Sequence, residues 1–206
     1  MKKLKPYILL LVLGVLTFGN TLNHGYVLDD DAIITNHKHV QNGLAGIPDL
    51  LTTNYLHGVQ EFNDGLYRPL SPVIFAVQNQ LSPNNPFIGH LFNVLYVILI
   101  SVIMYYVLIS VFKAHRKIAL VLSALFLVLP IHTEVVANIK SSDELLALLF
   151  VLLSLWQFGK YITSKNSINL ISGGAFFFIA LFSKESTFTF VVIIPVILYW
   201  LIGLPI

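Results

Sequence analysis

From Phe87 to Phe112 the chain runs without a single Asp, Glu, Lys or Arg. A bilayer core of about 30 Å takes roughly 17–25 apolar residues as a helix, so this stretch alone is long enough to cross one. The composition agrees. The 206 residues are 56% hydrophobic and only 11% charged, with 15 Phe and no Cys, where an ordinary soluble domain carries about 25% charged residues. A water-soluble fold of this length could not bury that much apolar surface. Soluble enzyme, disulfide scaffold and disordered tail are excluded, and the missing cysteines exclude thiolate metal sites and Cys nucleophiles. The fold class expected is an all-α, polytopic transmembrane helix bundle.

Six apolar stretches are candidate spans: Pro6 to Leu22, Phe87 to Phe112, Ile118 to Pro130, Leu145 to Phe158, Leu170 to Phe182 and Thr187 to Leu204. The third, fourth and fifth are short. They either extend into their polar flanks or end in a water-filled recess, where broken helices are tolerated. Lys2, Lys3 and Lys5 ahead of the first stretch also fit the start of a signal peptide, but no small-x-small cleavage site lies near Gly19-Asn20-Thr21. With the N-terminus in the cytoplasm, six crossings place Lys2, Lys3, Lys5, Lys113, Arg116, Lys117, Lys160 and Lys165 inside and only Lys38, Arg68, Lys140 and Lys184 outside, in accord with the positive-inside rule. All ten acidic residues then fall outside, with every His except His115. The outer connections are chemically rich and the inner ones are basic or small and polar, so the chemistry is expected on one face.

The largest outer segment, residues 23–86, begins with His24-Gly25-Tyr26-Val27-Leu28-Asp29-Asp30-Asp31. Mutual repulsion and partial desolvation at a membrane edge raise the pKa of at least one of these carboxylates, and a carboxylate so tuned serves as a general base. For the triplet taken alone, a solvated acidic loop or a helix N-cap is the plainer account. Leu70, Val73, Ile74, Val77 and Leu81 recur at helical spacing, as do Leu44, Ile47, Leu50, Leu51 and Tyr55. Such helices rest on a membrane surface or pack on the bundle. Arg68 precedes the first of these rows; its planar fork of donors suits phosphate, and an interfacial anchor is the plainer role.

The connection Ile131–Glu144 holds His132, Glu134, Asn138, Lys140 and Asp143. In a helix Glu134 and Asn138 are neighbours and His132 caps the turn. His132 and Glu134 have no third ligand at regular spacing, and no motif supports a divalent cation. In Ser183-Lys184-Glu185-Ser186 the two charges can neutralise each other. No phosphate-binding Gly-rich loop, Ser nucleophile elbow, His-Glu-x-x-His or internal repeat occurs. The sparse, dispersed basic residues give no support to nucleic-acid binding.

Leu28-Asp29-Asp30 with Ile34 and Asn36, Tyr67-Arg68-Pro69-Leu70, His90-x-x-Asn93, His132-Thr133-Glu134-Val135-Val136-Ala137, Ile139 to Leu145, and Ser183-Lys184-Glu185 occur in one order over Tyr26 to Phe190. In this the chain resembles the N-terminal membrane part of the GT-C fold glycosyltransferases, above all the tetratricopeptide-linked transmembrane O-mannosyltransferases and their bacterial relatives. The resemblance implies a GT-C-like bundle and an inverting transferase that moves a sugar such as mannose from a polyprenyl- or dolichyl-phosphate carrier to a protein or glycan hydroxyl. The enzyme is expected to be multi-pass and embedded among membrane lipids with its active face extracytoplasmic, in a bacterial cytoplasmic membrane ahead of the alternative, the endoplasmic reticulum.

Carried over, Asp29 and Asp30 become the base and its helper. Arg68, Lys140 and Lys184 are candidates for the lipid phosphate, and His132, Glu134 and Asp143 line the cavity together with Glu185, His90 and Asn93. Leu129, Val97 and Ser142 depart from the pattern, which there often carries His, His and Arg; Lys140 is the cation that can stand in for that Arg. Members of that family continue through further helices and helical repeats, so residues 1–206 are expected to form the N-terminal part of a longer catalytic domain. The alternatives are a transporter, which the absence of ionisable residues at the span centres disfavours, and a non-catalytic membrane remnant.

Overall fold

The computed structural model describes residues 5–59 and 65–203, with side chains described to Trp200. Lys2, Lys3, Glu61, Asp64 and Leu204, each used in the reading above, lie outside the described residues. The helices are α1 (Pro6–Phe18), α2 (Lys38–Gln41), α3 (Ile47–Thr52), α4 (Leu70–Leu81), α5 (Pro86–Ser110), α6 (Arg116–Val128), α7 (Thr133–Ala137), α8 (Ser142–Ser164), α9 (Ser167–Ser183) and α10 (Phe190–Gly203). Among the described residues there is no strand.

Helix α5 starts where Asn85 accepts the backbone N–H of Phe87 at 3.1 Å and Pro86 fills the first turn. Its 25 residues extend about 37 Å at 1.5 Å per residue. Leu10 and Phe18 of α1, Val97 and Ile100 of α5, Leu127 of α6 and Leu149 of α8 meet in one core. Burying a side chain of this size contributes about 1.5–3 kcal/mol where water is the alternative. Between spanning helices the hold is closer packing and internal hydrogen bonds. Ser101 donates to the Ser123 carbonyl at 2.8 Å, and Ser154 to the Gly173 carbonyl at 2.8 Å. A Cβ on Gly173 would stand 2.7 Å from the Phe158 ring, so glycine lets α8 and α9 approach.

Among the described residues three helical segments are long and apolar enough to cross a membrane: α1 with the 3-10 turn that continues it, α5 and α8. α6 with the residues after it makes a fourth if a bent pair counts as one span, with a 50° break between them. Pro130 causes that break: it forces Leu129 out of helical geometry, to ψ 128°. α8 and α9 extend into their polar flanks, one of the two alternatives for the short stretches. α9 and the stretch Glu185–Trp200 are apolar but shorter than a full crossing. The chain is thus a helical membrane protein with three or four spans of full length among the described residues, and two shorter apolar helical stretches beside them.

A second core lies beneath the segment between α1 and α5. Ile33, Ile34, Val40, Leu50, Tyr55, Phe75 and Ala76 are buried there with Ile139 from the α7–α8 connection. α4 spans the expected residues and packs on α8 and α9 as well as on this loop. The row from Leu44 to Tyr55 is not one helix. Gly43–Gly46 forms a 3-10 turn, α3 covers six residues, and Thr53 is extended. Gly46 lies so close to the His39 carbonyl that a Cβ would sit 1.9 Å away, and that contact fixes the chain in this broken path.

Candidate functional site

Asp30 lies at the end of a tight turn. Leu28 adopts a left-handed φ of 52°, unusual for a bulky residue. The Asp30 N–H donates to the Val27 carbonyl at 3.0 Å while the Val27 N–H donates to Asp30 Oδ2 at 3.0 Å. The other oxygen, Oδ1, accepts the backbone N–H of Lys140 at 2.7 Å. The residues that follow, Asp31–Thr35, form one π-helical turn closed by Asn36 N–H on the Asp31 carbonyl at 2.9 Å. Asp30 is fully buried, whereas Asp29 and Asp31 are exposed. Burial raises the Asp30 pKa above the usual carboxylate range, and the backbone donors of Val27, Lys140 and Ile139 partly oppose the shift.

Beside it, a second set of charges converges from three other places. Asp143, fully buried in the first turn of α8, lies 3.4 Å from an Arg68 terminal nitrogen and 3.4 Å from Lys140 Nζ. Arg68 also donates through Nε and its other terminal nitrogen to the two oxygens of Glu185, in the bidentate geometry a guanidinium favours. Its guanidinium carbon lies 5.5 Å from the Tyr55 ring centre. The Tyr55 hydroxyl is pushed up, first by burial and then by the Asp143 carboxylate, with Asp29 a smaller contributor. Lys184 pairs with Glu144. Lys184 and Glu185 thus reach different partners, and Lys184 adds only a smaller attraction to the hold of Arg68 on Glu185.

The sequence-selected residues fall into groups. Asp30, Arg68, Lys140, Asp143 and Glu185 form one connected cluster, with Lys184 held at its side by Glu144 of α8. His90 sits on α5 below the aspartate turn; its Nε2 is 3.4 Å from the Gly25 carbonyl and its ring meets His24 at 5.9 Å. Asn93 acts as a tether, its amide donating to the carbonyls of Val136 at 3.3 Å and Asn138 at 2.8 Å. His132 stands at the start of α7 without capping it and packs instead on Phe126, with ring centres 4.3 Å apart. Glu134 is exposed on α7. Asn138 lies past the end of α7, its N–H on the Glu134 carbonyl at 3.1 Å.

Two features escaped the sequence reading. Tyr55 and Glu144 complete the charge cluster; Glu144 was signalled only by its place next to Asp143. A histidine group stands apart in the loop: His39 stacks on His57 at 5.8 Å, meets His37 at 5.9 Å, and lies 3.0 Å from the Asp49 carboxylate. Among the described residues no three His, Asp or Glu side chains are placed to hold a metal ion.

Over 148 residues, 70% of its length, the chain is 31% identical to human protein O-mannosyl-transferase TMTC1. The chain is a relative of the TMTC proteins. Human TMTC3 is 31% identical over 173 residues, 78% of the chain, and human TMTC4 is 30% identical over 181 residues, 79% of the chain. The chain spans only 17% to 24% of the length of these TMTC relatives. No family profile matches the chain. No solved structure matches it either. These relatives do not favour the transporter alternative.

Proposed function

We propose that the chain is part of an integral-membrane glycosyltransferase of GT-C type, which transfers mannose from a polyprenyl- or dolichyl-phosphate carrier to a protein hydroxyl. The observation that carries this reading is the meeting of the aspartate turn with Arg68, Lys140 and Asp143, residues up to 114 positions apart. An acid beside clustered cations is what displacement at an anomeric carbon needs. The relatives' printed name, protein O-mannosyl-transferase, supports mannose as the sugar and protein as the acceptor.

In this mechanism Asp29 is the base, because its carboxylate is exposed and within electrostatic reach of Tyr55 beside Arg68. Asp30, buried and bound to two backbone donors, positions it. Asp29 takes the acceptor's hydroxyl proton. The freed oxygen attacks the anomeric carbon with inversion, and the bond from that carbon to the phosphate oxygen breaks. The lipid phosphate carries away the electron pair, and Arg68, Lys140 and Lys184 stabilise its charge. To reach them the phosphate displaces Glu185 and Glu144, the exposed partners, while buried Asp143 keeps the cations in place. The reaction occupies the extracytoplasmic face of a cytoplasmic membrane, with the N-terminus cytoplasmic and α9 and α10 completing six crossings.

The test is transfer by the full-length protein in liposomes from radiolabelled polyprenyl-phosphate mannose to an acceptor peptide. Labelled peptide from the lipid donor, and none from a nucleotide-linked mannose, supports the reading. Transfer from the nucleotide sugar alone contradicts it.

A further inference from the structure

A cavity of about 600 Å³ opens at the other end of the bundle, lined by Lys5 and Tyr7 of the α1 entry, Tyr105 and Tyr106 of α5, and Arg116 and Lys117 of α6. Tyr106 lies 16 residues beyond His90 on α5, about 24 Å along the axis. This cavity and the carboxylate cluster are therefore separated by most of a bilayer core.

Its chemistry is the reverse of the other site. Three cations face it, and among the described residues no carboxylate lines it. Pro6, Ile109 and Leu120 supply an apolar wall. Aromatic rings and further basic groups surround it: Tyr106 stacks on Trp156 at 6.0 Å, and Lys160 Nζ lies 3.7 Å over the Trp156 ring. Tyrosine and tryptophan with Lys and Arg at the end of spanning helices mark the headgroup level of a membrane. A volume of this size suits a small-molecule ligand.

We propose that this cavity binds the phosphodiester headgroup of an anionic phospholipid, with Lys5, Arg116 and Lys117 on the phosphate and an acyl chain along Ile109 and Leu120. The distribution of basic residues puts this end at the cytoplasmic leaflet, where anionic lipids reside. Charge alone would also admit a free phosphate; the apolar wall and the headgroup-level rings select the lipid. The site needs neither the carboxylate cluster nor sugar transfer.

Native mass spectrometry of the full-length protein with added phosphatidylglycerol or phosphatidylcholine tests this. The wild type retains phosphatidylglycerol preferentially. Each surface cation contributes a few-fold to such binding, so Lys5→Gln/Arg116→Gln/Lys117→Gln lowers retention by roughly tenfold or more. Leu120→Trp keeps every charge, fills the cavity and also lowers it, while thermal unfolding verifies that both variants fold. Equal retention of the two lipids, or wild-type retention by either variant, overturns the proposal. Competition by inorganic phosphate that survives in Leu120→Trp assigns the cations to a free anion and also overturns it.

Discussion

The buried carboxylate of Asp30 accepts the backbone N–H of Lys140 at 2.7 Å, joining two parts of the chain 110 residues apart. This bond fixes the first long loop to the α7–α8 connection and sets the aspartate turn beside the cations. Leaving two partly buried donors without an acceptor costs about 1–2 kcal/mol each, because water can reach them in part. Asp30→Ala is therefore expected to lower stability by about 2–4 kcal/mol, read as a drop in unfolding temperature. An unchanged unfolding temperature would show that the turn is held some other way.

Asp30 also makes stability depend on pH. Its folded-state pKa is raised by burial above its ordinary value of 3.8. The stabilisation is complete below the unfolded pKa and is lost as pH rises through the higher folded one. Asp30→Asn cannot ionise, so the unfolding temperature of the wild type minus that of this variant should fall as pH rises above 3.8. Melting curves across pH 3–7 check the sign; a rising difference would contradict the burial argument.

Arg68, Lys140 and Asp143 behave as a unit. Asp143 is fully buried, while Arg68 and Lys140 reach solvent at 11% and 18% of their side-chain surface. Breaking a buried pair costs about 3–5 kcal/mol, reduced here to about 2–3 because the cations can hydrate. Asp143→Asn should lose that much stability in denaturant unfolding, and Asp143→Asn with Arg68→Met should lose less than the sum of the single changes.

Glu185 occupies the Arg68 fork that the donor phosphate is proposed to take, and that bond holds Glu185 below the ordinary carboxylate range. Glu185→Gln should lower the KM for the lipid donor several-fold, and Arg68→Lys should raise it, because an ammonium cannot form the bidentate contact. Steady-state kinetics over donor concentration separates the two effects. A higher KM in Glu185→Gln would mean that Glu185 binds substrate itself.

The spanning helices were legible because hydropathy acts over 20 residues at a time: Phe87–Phe112 is seen as Pro86–Ser110. The meeting of charges was legible in part, since acids and cations that the sequence keeps off the apolar runs do converge on one cluster. The pairing within it was not. Lys184 turning to Glu144 and Glu185 to Arg68 depends on side-chain direction at the entry to a 3-10 turn, Glu185–Thr189, which no periodicity encodes. The division between exposed Asp29 and buried Asp30 depends on the left-handed Leu28. The Leu44–Tyr55 row misled because its apolar spacing serves a loop core, where Leu50 and Tyr55 are buried while Leu44 and Leu51 are exposed.

The rate of mannose transfer by Asp29→Asn in the full-length protein, at saturating polyprenyl-phosphate mannose, tests the account most directly. Loss of a general base predicts a kcat lower by about 10²–10⁴, with donor KM and unfolding temperature near the wild type. Transfer at the wild-type rate by this variant would contradict the assignment of the aspartate turn as the catalytic acid–base centre.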